Sequence, residues 1–322
     1  MKKAVLLYNP ESGGIGSRQA ELESIVALLR GEHVEADLVL THSPGDAQQQ
    51  AVYATQAGCD TVFACGGDGT IHSIAQGMVN SSTALAILPM GTANALAHDL
   101  GLPMNLPGAA RAVLHGIPRR VAVGRIGYLD LKGNPAFRYF VVAAGAGVDA
   151  HLFYKLHTGT KQRMGMAAYY AKAWHLWFSY PMTRFRVDYS ESGSGERRRA
   201  EVTEFMAVRI RNFGGVLQEL APGASLERND MRIVCCRTAS RWSYLLYVTR
   251  GLLRQKWRVA GIDLAHSPAV SCSYSSQATV AGSVNPPGLG KIYVEADGEL
   301  VGTLPAEFSV VPDALTLLVP VP

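Results

Sequence analysis

The chain has 322 residues, 48% of them hydrophobic and 17% charged, with a net charge of +4. That is enough apolar material for one large domain or two ordinary ones, and too little charge to argue for a nucleic-acid binder. The five cysteines (Cys59, Cys65, Cys235, Cys236 and Cys272) are odd in number and lack metal-type spacing, which argues against a disulfide framework and for a reducing, cytoplasmic setting.

The apolar run that follows Lys2 and Lys3 is too short for a signal peptide, and no stretch is long and apolar enough to span a bilayer. Any membrane contact is therefore expected to be peripheral.

In chain order, residues 4–8 read as a short apolar strand. Residues 18–30 read as a helix with Leu22, Ile25, Val26 and Leu29 on one face. A strand at 34–41, a helix at 44–57, a buried strand at 61–65 and a helix at 71–79 follow. Next come a strand at 84–88 and a helix at 93–100. This alternation predicts a parallel, helix-flanked sheet, with ligands at the carboxyl ends of its strands.

The character changes near Val121. Segments 121–128, 137–143, 184–189, 204–211, 232–237, 269–274 and 291–296 read as strands, many separated by glycine- and serine-rich turns. Helices are expected at 160–178 and 241–256. A last strand at 314–319 has no assigned domain from pattern alone. The Arg197-Arg198-Arg199 run reads as a solvated hairpin loop.

The strongest chemical signal is Gly66-Gly67-Asp68-Gly69-Thr70, between an apolar strand and a helix. Glycines let backbone approach a phosphate chain, and a helix start offers free N–H groups. Asp68 could hold a magnesium ion and Thr70 a phosphate oxygen; the plainer reading is a glycine turn ending a strand. Pro89-Met90-Gly91-Thr92-Ala93-Asn94 repeats the same logic after the next strand, with a helix cap as the plain role for Thr92.

Asn9-Pro10-Glu11-Ser12-Gly13-Gly14 follows the first strand and Thr41 ends the second. Neither a P-loop Gly-x-x-x-x-Gly-Lys-Ser/Thr element nor a Gly-x-Gly-x-x-Gly after the first strand is present. Asp297-Gly298, at the end of a strand, reads by itself as a hairpin turn.

At these motifs, with Ala144-Gly145-Ala146-Gly147-Val148-Asp149-Ala150 and Glu295-Ala296-Asp297-Gly298-Glu299 downstream, the chain resembles the diacylglycerol kinase catalytic-domain family, which includes bacterial diacylglycerol kinases and sphingosine kinases. The resemblance implies a Rossmann-like α/β nucleotide-binding domain at 1–120, to which 312–322 could return. A β-sandwich-like, mainly β lipid-substrate domain at 121–311 would follow, with a cleft between the two.

It implies ATP as co-substrate, held by Asn9, Thr41, Gly66, Gly67, Asp68, Gly69, Thr70, Ile71, His72, Gly91 and Thr92. Magnesium (Mg2+) would sit at Asp68 with Asp149, and Asp297 would be the general base with Glu299 beside it. The family often has Asn-Asp after the Gly-Thr element, where this chain has Asn94-Ala95, and Asp99 is the nearest replacement in sequence. Asn229, in Leu226-Glu227-Arg228-Asn229-Asp230-Met231, stands where bacterial members place the aspartate of a structural metal site; a neutral amide is the poorer ligand.

The function implied is phosphoryl transfer to the hydroxyl of diacylglycerol or a similar lipid. The alternatives are a NAD kinase-like phosphotransferase, which shares the Gly-Gly-Asp-Gly-Thr loop, and a non-catalytic lipid- or nucleotide-binding protein on the same fold. The expected partners are ATP, a lipid with a free hydroxyl and a membrane surface met peripherally; a homodimer stays open and nucleic acid is not expected. Residues 160–178 and 241–258 mix aromatic and basic side chains, which suits either a lipid interface or amphipathic helices packed on the β domain.

Overall fold

The computed structural model describes residues 1–10, 18–148, 182–214, 219–275 and 291–321. The described chain divides into two units. Met1–Val123, Ile210–Gln218 and Val311–Pro322 form the first, and Gly124–Arg209 with Glu219–Val310 form the second.

The first unit opens with β1 (Lys3–Tyr8), α1 (Gln19–Gly31), β2 (Glu35–Leu40), α2 (Pro44–Gln56), β3 (Thr61–Gly66), α3 (Asp68–Met78) and β4 (Ala84–Pro89). Then come α4 (Ala95–Asp99) and α5 (Leu106–Leu114). On α1 the buried residues are Leu22, Ile25, Val26 and Leu29, the face expected from spacing. At α2, Ser43 accepts the Asp46 N–H while the Asp46 carboxylate accepts that of His42, a reciprocal cap with Pro44 in the first turn. Gly77 lets α3 press on α2, since a Cβ there would stand 2.4 Å from the Gln48 carbonyl oxygen.

Helix α5 was not expected. Its start, Asn105-Leu106-Pro107-Gly108, has loop-like composition, yet Asn105 accepts the Gly108 N–H and Pro lies in the first turn, where its missing N–H costs nothing. Helix α4 is shorter than the expected 93–100, because Asn94 takes a left-handed conformation (φ 49°) and its side chain turns back onto Gly91.

The second unit contains β5 (Ile117–Leu129, shared with the first), β6 (Pro135–Phe140), β7 (Ala143–Gly147), β8 (Phe185–Ser190), β9 (Arg197–Val202), β10 (Glu204–Val208) and β11 (Met231–Cys236). It continues with α6 (Arg241–Leu252), β12 (Ile262–Ser267), β13 (Ala269–Tyr274), β14 (Tyr293–Ala296) and β15 (Glu299–Val319). The last strand starts in the second unit and ends in the first.

The three arginines expected in a loop open β9, where Arg199 pairs with Asp188 and Arg198 with Glu191 and Glu196. Charged side chains of this kind suit a strand that pairs with β8 alone among the described strands. The helix expected at 160–178 lies outside the described residues.

In the first unit the sheet order is β15-β4-β3-β1-β2, all parallel. The chain builds β2 on one side of β1 and β3 on the other, so the strand order reverses between β1 and β3. In the second unit the order β12-β11-β10-β7-β14-β15 is antiparallel, β13 and β8 continue from β15, and β9 pairs with β8.

Phe205 of β10 meets Phe308 of β15 edge-on at 4.8 Å. Both share one buried cluster with Phe185 and Val187 of β8 and Ile233 of β11. The sheet thus closes over its own apolar face, as a sandwich does.

Candidate active site

The strand register of the first unit places the ends of four strands on one edge, and residues 11–14 of the first loop lie outside the described residues. Tyr8 pairs with Leu40 and Cys65, and Gly66 with Pro89. The Thr41 N–H donates to the Tyr8 carbonyl, and that of Met90 to the Gly66 carbonyl. Asn9, Thr41, Gly66 and Gly91 therefore come together at the carboxyl end of the sheet. Asn9 and the Gly66–Gly69 stretch flank the point where strand order reverses, the usual position for a ligand in an open α/β sheet.

The two glycine loops touch through bare backbone. A Cβ on Gly91 would stand 2.6 Å from the Gly67 Cα, and one on Gly67 would stand 3.2 Å from the Gly91 Cα. Asn94 staples the second loop to itself, accepting the Gly91 N–H and donating to the Gly91 carbonyl. Asp68 ties it to the first, since its two carboxylate oxygens accept the N–H groups of Asn94 (2.9 Å) and Ala95 (2.8 Å). Asp68 is thus both a candidate metal holder and the cap of α4. A carboxylate so fixed, at the start of α3 and beside exposed Thr92, suits magnesium, a hard cation that keeps its waters. Asp149 lies outside the described residues.

The other expected contacts divide by burial. Thr92 is exposed, whereas Thr41, Ile71 and His72 are buried and Thr70 lies packed beneath Gly66. Any contact from Ile71 or His72 to a ligand would have to be through backbone. Asp99, the nearest aspartate in sequence, has one carboxylate oxygen accepting the N–H groups of Arg211 and Asn212, and burial pushes its pKa up.

In the second unit, Asp297 (φ 49°) and Gly298 (φ 80°) form the tight turn between β14 and β15. The Asp297 side chain reaches the break between β6 and β7. Its oxygens accept the N–H groups of Val141 (2.9 Å), Val142 (2.8 Å) and Ala143 (3.0 Å). This capture ends the strand expected to run unbroken over 137–143, because those N–H groups turn away from the ladder. Glu299 pairs with Arg138 at 2.8 Å, and Glu295 accepts the Gly298 N–H.

Arg138 was not singled out in the sequence; it lies 161 positions from its partner, and no local pattern marks it. Asn94 carried a legible signal, an amide three residues after a loop glycine.

The turn matching the structural metal site does not fit a metal ion. Asn229 is exposed, the Asp230 carboxylate is held by Arg228, and the carbonyls of Leu226 and Asp230 accept from Arg209.

On α6 the inner face is Tyr244, Tyr247 and Arg250, so Arg250 is withdrawn from the basic residues expected at a lipid surface. The hydroxyls of Tyr244 and Tyr247 bond Thr203 and the Leu220 carbonyl, and Arg250 also donates to Leu220 while lying over the Tyr247 ring. The outer face carries Trp242, Leu246 and Leu253, 76%, 51% and 57% exposed.

A parallel sheet with glycine loops at its switch point, in one chain with a mainly β unit, is similar to the folds of diacylglycerol kinases and NAD kinases. Residues 3–126 match the family model described as the diacylglycerol kinase catalytic domain. That stretch of the chain is therefore similar to diacylglycerol kinase catalytic domains. It is 26% identical to the diacylglycerol kinase of Bacillus subtilis (strain 168) over 311 residues, covering 96% of this chain and 93% of the relative.

The crystal structure of a diacylglycerol kinase described as putative, from Bacillus anthracis str. Sterne, superposes with a TM-score of 0.73 at 19% identity, covering 99% of this chain and 96% of the other. Yeast NADH kinase complexed with NADH is a more distant neighbour, with a TM-score of 0.54 at 11% identity over 99% of this chain and 84% of the other. The family model and the curated relative support a kinase, and the solved structures support the fold.

Proposed function

We propose that the chain is an ATP-dependent lipid kinase acting on the hydroxyl of diacylglycerol or a similar lipid. The observation that carries this reading is the backbone contact of Gly67 with Gly91 at the sheet's switch point, braced by Asp68 and Asn94. Two loops without side chains at their meeting point leave room for a phosphate chain, and the first turn of α3 adds its N–H groups and positive end. Exposed Thr92 offers a hydroxyl to the same ligand.

Phosphoryl transfer needs positioning and charge neutralisation more than covalent help. The lipid oxygen bonds to the γ-phosphorus, the bond from that phosphorus to the bridging oxygen breaks, and ADP leaves. The lipid hydroxyl's proton passes to a carboxylate, a role assigned to Asp297. The backbone donors on Asp297 fix its orientation, and Arg138 fixes Glu299. Magnesium, when bound with the nucleotide, would offset phosphate charge, with Asp68 as its holder.

Peripheral membrane contact belongs to the same reading. Trp242 and Leu246 lie exposed on the outer face of α6 and Leu253 just past its end, followed by exposed Arg254, Lys256, Trp257 and Arg258. An apolar stripe beside exposed cations suits an anionic bilayer surface.

Incubation with γ-labelled ATP and, separately, diacylglycerol, a sphingoid base and NAD tests the proposal. Label in a lipid is the expected result. Label in NAD alone would support the NAD kinase reading, and nucleotide binding without transfer to any acceptor would support a non-catalytic protein.

A further inference from the structure

The Leu226–Asp230 turn is built around a cation of the chain's own. Arg209 follows β10 directly and is fully buried. Its guanidinium donates through Nη1 to the Asp230 carbonyl and through Nη2 to the Leu226 carbonyl, 3.2 Å away. Two carbonyl oxygens of one turn thus converge on one positive group, an arrangement also used for hard metal ions. A guanidinium meets it with a planar fork and is more weakly hydrated than an ammonium, so it tolerates burial better. Burial still pulls Arg209 down to about 10, although the Asp230 charge opposes that.

The surroundings leave no opening for a metal. Burial by itself would raise the Asp230 pKa, but the Arg228 and Ser192 hydrogen bonds and the His266 and Arg228 charges bring it down to about 2. Its two oxygens take Arg228 Nε at 2.6 Å and Nη2 at 2.7 Å, with His266 Nδ1 at 3.2 Å. Arg232 stands close enough for its charge to be felt by His266 and by Asp230's neighbours. One carboxylate among Arg209, Arg228 and Arg232 presents excess positive charge, which repels a divalent ion. Asn229, which stands where the resemblance expects a ligand, is exposed, and no group of three or more His, Cys, Asp or Glu among the described residues could hold a metal.

We infer that the Arg209 guanidinium occupies the cation seat of the 226–230 turn, so that the second unit folds and stays folded without a divalent metal. Any magnesium requirement of the protein then belongs to the nucleotide alone. This inference does not rest on the kinase reading, because it is tested on nucleotide-free protein.

The test is thermal unfolding of the wild-type chain after chelation with EDTA and after adding millimolar Mg2+ or Ca2+, with elemental analysis of the purified protein. The expected midpoint stays within about 1 °C throughout, since an ion that does not bind the native state shifts nothing, and no stoichiometric divalent ion is found. A midpoint that falls on chelation and returns with metal would overturn the inference, as would a stoichiometric ion. Arg209→Met, which keeps the volume and removes the charge, should melt lower by about 5 °C or more. Wild-type melting of Arg209→Met would also overturn it. Should that variant fail to fold, its failure agrees with the seat, and the chelation result on the wild type decides the metal question by itself.

Discussion

At the scale of single residues, the carboxylates named by sequence also do structural work. Asp297→Asn keeps the tight turn, because Asn tolerates the same left-handed backbone. It cannot keep every N–H bond, since an amide offers one oxygen and turns a donor toward Val141, Val142 or Ala143. The variant should lose turnover by about a hundredfold or more and about 1–3 kcal/mol of stability, while nucleotide affinity stays near wild type. Kinetics and melting measured together check this, and near-normal turnover would remove Asp297 from the base role.

His266 carries a second residue-scale prediction. Burial and the charges of Arg232 and Arg228 lower its pKa, outweighing the Asp230 carboxylate. The unfolded chain then binds the proton more readily, so stability is present above the ordinary histidine value and is lost as pH falls through and below about 6.5. The Asp230 contribution, also a depressed pKa, is lost in a lower window, from about pH 4 toward about 2. His266→Gln should lessen the fall in melting temperature between neutral pH and about pH 5.5 by about 2 °C. An unchanged pH profile would show that the titration lies elsewhere.

At the scale of elements, the glycine loops are legible in sequence as punctuation, but their dependence on each other is not. Gly67 and Gly91 are 24 positions apart and meet only because β3 and β4 pair in register. Gly91→Ala puts a Cβ at 2.6 Å from backbone and must part the loops, whereas Gly67→Ala at 3.2 Å asks for a smaller shift. Turnover should fall about a hundredfold in the first case, as a displacement near 1 Å does, and less in the second. Equal effects would show that the contact is not what sets the site.

The same scale explains two misread segments. The strand expected over 137–143 breaks because a distant aspartate captures its N–H groups, and the arginine run joins a strand because Asp188, Glu191 and Glu196 neutralise it.

At the scale of the whole molecule, no helix among the described residues is long and apolar enough to cross a membrane; the surface-docking proposal is tested with vesicles. Vesicles with anionic lipid should retain the protein at low salt and release it at high salt. Replacing Trp242 and Leu253 together by Ala should weaken retention about tenfold or more, and a wild-type chain that fails to sediment with such vesicles would end the docking proposal.

The sequence by itself determined the order of strands and helices from β1 to α4, the buried face of α1 and the family resemblance, because hydrophobic period and glycine loops are local and need no partner to be read. Only the tertiary structure decided what Asp68, Asp297, Arg138 and Arg209 touch. Those partners lie 17 to 161 positions away or across a strand pair, and side chains choose partners by position in space, which a linear pattern does not encode. Arg209 illustrates the difference: in the sequence it is one more basic residue within the strand expected at 204–211, and in the fold it lies just past β10 and is the charge about which a turn is organised.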